Sequence, residues 1–120
     1  MPADQVIDPQ AIANLRDLSP DGGQEFLREL IGVYLEDTPL RLADLDQAMA
    51  RQEAAGVSKA AHTIKGSSSN FGAARLSTLA QEIEQKGKSG VISACGPLCI
   101  RLRAEYELVA EALRKIAAGA

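Results

Sequence analysis

Aliphatic residues recur three and four positions apart along almost the whole chain, and no stretch alternates apolar with polar. Only a helix puts residues with that spacing on one side. Phe26, Leu27, Leu30, Ile31, Tyr34 and Leu35 make one such stripe, and Leu42, Leu45 and Met49 continue it. Val57, Ala61, Ile64, Ser68 and Phe71 make a second, and Leu76, Leu79, Ala80 and Ile83 a third. Cys95, Leu98, Cys99, Leu102, Tyr106, Val109, Leu113 and Ile116 make the last. Aromatic residues are 3% of the chain and Trp is absent, so the core is aliphatic, which suits packed helices better than a β-sandwich.

Turn and cap residues divide these stripes. Asp8-Pro9 reads as an N-cap followed by Pro at the first helical position, opening a short helix with Ile12, Leu15 and Leu18 inward. Ser19-Pro20-Asp21-Gly22-Gly23 is a break. The next helix runs from about residue 23 to about 37; Thr38-Pro39 then ends or kinks it before a further helical stretch to about residue 51. A turn within residues 52–56 leads to a helix over about 57–71, with Gly72 as its stop. Another helix starts near Ala73, and KGKSG at 86–90 reads as the loop after it. Ser93 is the expected N-cap of the final helix, with Pro97 at the end of its first turn, where proline costs least. The predicted fold is all-α, an antiparallel up-down four-helix bundle with a short additional N-terminal helix, forming a single domain over 1–120. A chain of 120 residues buries enough surface to need no staples.

Several function classes drop out. A net charge of −3 and a pI near 5.1 do not suit a nucleic-acid surface. No apolar stretch has the length of a membrane span, and the N-terminus lacks a basic region followed by an apolar run, so a cytoplasmic protein is expected. Cys95 and Cys99 lack the further ligands a metal site needs, and with no second histidine they read as two core cysteines. KGKSG lacks Walker spacing, so self-phosphorylation from ATP is not expected. One histidine among serines is poor support for a serine hydrolase.

What remains is the segment AHTIKGSSSNFGA, residues 61–73, which holds the chain's one histidine, His62. At 100° per residue, Val57, Ala61, Ile64, Ser68 and Phe71 fall within roughly 40° of one direction. His62 lies about 140° from it, Gly66 about 180°, Ser69 about 120°, and Lys65 about 80°, at the flank. A cation and a bare glycine therefore sit one turn from an outward imidazole. Glycine here costs about 1 kcal/mol relative to alanine, and the serine run is also a poor helix former. A phosphate-carrying imidazole accounts for all of this. Neutral imidazole is a nucleophile toward phosphorus. Lys65 reaches the added charge from i+3, Gly66 lets a partner's backbone come close, and the serines keep the patch small and polar. Lys59, Lys65 and Arg75 form either a weak basic rim or scattered surface charge.

These residues resemble the signature of histidine-containing phosphotransfer domains, His-x-[Ile/Leu]-Lys-Gly-[Ser/Ala] followed by a small polar stretch and a Gly-Ala turn. Here they are His62, Ile64, Lys65, Gly66, Ser67 and Gly72-Ala73, and the helix order resembles the family from about residue 11 to 116. The resemblance implies a relay with no kinase activity of its own: His62 accepts phosphate from an aspartyl phosphate and passes it to another receiver's aspartate. The implied partners are receiver domains of response regulators and hybrid sensor kinases. No cofactor is expected on this chain, Mg²⁺ belonging to the receiver, and a monomer is expected. Some members of the family place Gln on the next helix facing the histidine; the matching position here is Glu84, as in the phosphotransfer domains of chemotaxis kinases. Glu84 is then either the acceptor of the His62 Nδ1–H, leaving Nε2 as nucleophile, or a solvated helix glutamate. Ser69 is expected to bond phosphate or partner, and Ala61 and Ala73 to help form a docking surface. The alternative to a relay is a non-catalytic helical adaptor that binds receiver or kinase domains with its histidine unused.

Overall fold

In the computed structural model, which describes residues 6–19 and 23–119, Asp8 caps the first helix by accepting a hydrogen bond from the Gln10 backbone N–H at 3.0 Å. Pro9 follows at the first helical position, where its missing N–H has no partner to lose. The helices are α1 (Pro9–Asp17), α2 (Gln24–Ala50), α3 (Ala54–Ser69), α4 (Ala74–Lys88) and α5 (Cys95–Ala118), with a 3₁₀ turn over Ile92–Ala94 before the last. No strand occurs among the described residues. Pro20, Asp21 and Gly22 of the expected break, and residues 1–5 of the stretch read for a secretory signal, lie outside them.

Thr38-Pro39 neither ends nor divides α2, which runs through both. Pro39 is solvent-exposed, so water can satisfy the carbonyl its absent N–H leaves unpaired. Ile31, Tyr34, Thr38, Leu42 and Leu45 are buried in one continuous stripe across it, and that burial outweighs the local penalty. Three other expectations are corrected. Leu18 is 70% exposed because α1 ends at Asp17 and turns it outward. Ser93 is no N-cap: it lies in the 3₁₀ turn, and Ala94 precedes α5 without a side-chain bond, though Pro97 does fall in the first turn. The KGKSG stretch is helical through Lys88, and only Ser89 and Gly90 turn.

Helix α3 lies between α2 and α4, α5 lies between α4 and α2, and α1 packs on α2. Leu27, Ile31, Leu45, Val57, Ile64, Leu76, Ile83, Leu102, Val109 and Leu113 fill the space between them and are wholly or almost wholly buried. Gly72 takes a positive φ of 69° in the α3–α4 turn. Its carbonyl accepts from the Asp8 N–H at 3.2 Å, and a Cβ there would lie 2.6 Å from the Asp8 Cβ. Only glycine combines that φ with that approach, which ties the start of α1 to the end of α3.

Candidate histidine site

The inward set of α3 is placed as its spacing predicts: Val57, Ala61, Ile64 and Ser68 are buried. Phe71 is buried just past the helix end, its ring centroid 5.0 Å from that of Tyr34. Rotation of the helix then fixes the opposite face. The His62 side chain is 66% exposed, and a Cβ built on Gly66 would meet no atom within 4 Å.

Glu84 of α4 faces this imidazole. The His62 Nδ1 lies 2.9 Å from Glu84 Oε2, the Lys65 Nζ donates to Oε1 at 2.8 Å, and the Lys88 Nζ approaches Oε2 at 3.1 Å. The carboxylate is buried, so it is not a solvated helix residue. Chiefly the Lys65 bond, with Lys88 and His62 adding, holds its pKa down at about 2 against the opposing effect of burial. It is therefore an anion at any ordinary pH and acts as an acceptor only. The other ring nitrogen, Nε2, points away from this contact and has no protein partner among the described residues.

The side chains expected around His62 divide. Lys65 is 29% exposed and rests on Glu84. The Ser69 hydroxyl donates to the Lys65 carbonyl at 2.8 Å and sits 3.1 Å from the Ser77 Oγ, so its proton is already engaged within the protein. Ser67 bonds back to the Thr63 carbonyl at 3.0 Å, whereas Ser68 turns inward to the Tyr34 hydroxyl at 2.7 Å. The three serines thus have three destinations, and of them only Ser69 is exposed. Ala61 and Ala73 are completely buried and cannot line a docking surface, since both sit on the core side of their segments. Arg75 is drawn to Glu105 on α5 at 3.1 Å.

Lys88 is the site cation that the sequence reading missed. Its signal is the Glu84–Lys88 spacing of i, i+4, which an expected loop over 86–90 conceals. Ala54, Ser58, Lys59, His62, Glu84 and Lys88 line one shallow hollow between α3 and α4. Burial pushes the Cys99 thiol up to about 11 and raises that of Cys95, leaving neither a ready nucleophile. Among the described residues no group of three or more His, Cys, Asp or Glu is placed to hold a metal ion, and no helix is long and apolar enough to cross a membrane.

Comparison with known proteins bears on the family and the fold. The chain is similar to multistep phosphorelay regulator 1 of Schizosaccharomyces pombe, 26% identical over 83 residues, which are 69% of this chain and 28% of that protein. It thus spans little more than a quarter of the length of the curated relative it matches. Its fold is similar to the crystal structure of histidine-containing phosphotransfer protein B from Pseudomonas aeruginosa PAO1, with a TM-score of 0.88 and 23% identity over 98% of this chain and 99% of that one. Residues 29–112, which include His62, Lys65, Gly66 and Glu84, match the Hpt domain, and the chain belongs to that family, the histidine-containing phosphotransfer domains.

Proposed function

We propose that this chain relays phosphoryl groups between receiver-domain aspartates through His62, as a histidine phosphotransfer protein of two-component signalling. The observation that carries the reading is an exposed imidazole whose Nδ1 lies 2.9 Å from a buried carboxylate held by two lysines. An anion can only accept, so the ring proton sits on Nδ1 and the lone pair on Nε2. Nε2 attacks the phosphorus of an aspartyl phosphate in line; the P–N bond forms as the P–O bond to the aspartate breaks, and the carboxylate leaves. Positive charge develops on the ring as it attacks, and Glu84 lies where that charge appears. Transfer onward reverses these bonds with the second receiver's aspartate. Lys65 stabilises the phosphoryl oxygens, Gly66 gives the partner clearance, and Ser69, its proton held by the Lys65 carbonyl, offers its oxygen to a donor group of the partner. The chain needs no cofactor of its own, and Mg²⁺ comes with the receiver.

The same reading takes residues 1–120 as one domain, a cytoplasmic monomer without nucleic-acid partners. It takes α2 to α5 as an antiparallel up-down four-helix bundle with α1 as the extra N-terminal helix, in keeping with the ring of packing neighbours. Incubation with a phosphorylated receiver tests the relay. Acid-labile, base-stable label should appear on this chain and vanish in His62→Gln. Binding that survives in His62→Gln, with no label on the parent, would replace the relay by an adaptor.

A further inference from the structure

Gly87 lies inside the last turn of α4 and is buried, although nothing about its backbone calls for glycine. A Cβ built on it would stand 2.9 Å from the Ser58 N, 3.1 Å from the Ala54 O and 3.2 Å from the Ser58 Cα. All three are backbone atoms of α3, which no rotamer change moves aside. Gly32 and Gly96, by contrast, have nothing within 4 Å of such a Cβ. The contact is in register with the histidine site: Gly87 is three residues beyond Glu84 on α4, and Ser58 is four residues before His62 on α3. One turn along both helices, the close approach of backbones becomes the close approach of carboxylate and imidazole.

We propose that Gly87 is a positioning residue for His62: by letting α4 lie against the α3 backbone, it sets the gap that Glu84 bridges. This rests on reading Glu84 as the acceptor of the His62 Nδ1–H. Relieving the Ser58 contact to an ordinary 3.4 Å separates the helices by about half an ångström, and the same opening carries the 2.9 Å Nδ1–Oε2 distance beyond the 3.2 Å limit of a good N–H···O bond. Following His62 across the wider gap would draw Glu84 Oε2 away from the Lys88 Nζ, which approaches it at 3.1 Å from the same helix. Alanine at 87 therefore acts on the ring proton, through Glu84, without touching the ring.

The test is Gly87→Ala in the full chain, with Gly32→Ala as the control in open space. His62 ring nitrogen shifts read the tautomer ratio, and phosphoramidate serves as phosphodonor, its P–N bond breaking and ammonia leaving as the bond to Nε2 forms. Gly87→Ala should fold cooperatively, shift the tautomer ratio away from Nδ1–H by about tenfold and slow phosphorylation alongside it, as expected for losing a hydrogen bond to a charged group. Gly32→Ala should leave both at parent values. In a Glu84→Ala background, Gly87→Ala should add no further change in tautomer, the sign that it acts through Glu84. A parent-like tautomer ratio in folded Gly87→Ala, or a full-size effect in the Glu84→Ala background, overturns the proposal. Should Gly87→Ala not fold, Glu84→Asp widens the same gap by shortening the carboxylate arm, and a parent-like ratio there overturns it equally. A parent that takes no phosphate on His62 would defeat the relay, yet the tautomer comparison would still decide the role of Gly87.

Discussion

Replacing Glu84 by alanine removes the acceptor opposite the His62 Nδ1. A bond from an N–H to a carboxylate contributes about 1.5–3 kcal/mol, and each 1.36 kcal/mol is a factor of ten, so the Nδ1–H to Nε2–H ratio should fall by about 10- to 150-fold. The loss in stability is smaller than for a sealed ion pair. Glu84 is buried, but Lys65 is 29% exposed and the side chains of His62 and Lys88 are each 66% exposed, so the partners left behind regain water. The cost should be about 1–2 kcal/mol rather than the 3–5 kcal/mol of a fully buried pair, a fall in Tm of about 4–8 °C for a chain of this size. The measurement is unambiguous because the chain has one histidine: two-dimensional ¹H–¹⁵N spectra of the ring report a single pair of nitrogens, recorded where the imidazole is neutral. Phosphorylation at Nε2 should slow in step with the tautomer shift. A folded Glu84→Ala protein with the parent's tautomer ratio would refute the reasoning, since the 2.9 Å contact would then hold no proton in place.

Other outcomes follow from the same site and its support. The folded-state pKa of Glu84, about 2, lies below its ordinary 4.5, so the unfolded chain binds the extra proton between those values. The stability Glu84 contributes should be complete above pH 4.5 and lost as pH falls toward 2; a Tm difference from Glu84→Gln that stays constant across that window would contradict this. Ser68→Ala removes the 2.7 Å partner of the buried Tyr34 hydroxyl, whose pKa burial pushes up to about 12. Denaturant titration should show a loss of about 1–3 kcal/mol with phosphate still reaching His62, and an unchanged midpoint would disprove the bond's role. Gly66→Gln should keep the parent's helical circular dichroism, because the space is open, yet slow transfer from a receiver by about a hundredfold through obstructed approach. Equal rates for variant and parent would remove the clearance argument.

Much of this site was legible in one dimension because a helix converts spacing into direction. Val57, Ala61, Ile64 and Ser68 share a face, so once the core claims them the outward placement of His62 and Gly66 follows. Helix ends were read well where a side chain or a positive φ makes them, as at Asp8 and Gly72. They were read poorly where packing overrides local preference. Burial on both sides of Thr38-Pro39 carries α2 through a proline, and the α3 backbone makes room in the helix for Gly87, which looked like loop.

Sequence alone determined the all-helical character, the lone histidine and its outward direction, because each depends on residues within a few turns of one another. Tertiary structure alone decided the partners across the helix boundary: Glu84 bridging to His62, Lys65 and Lys88, Tyr34 meeting Ser68, Arg75 drawn off to Glu105, and Ala61 and Ala73 lost to the interior. Those contacts depend on how closely two rods approach and in what register, which the composition of neither rod contains.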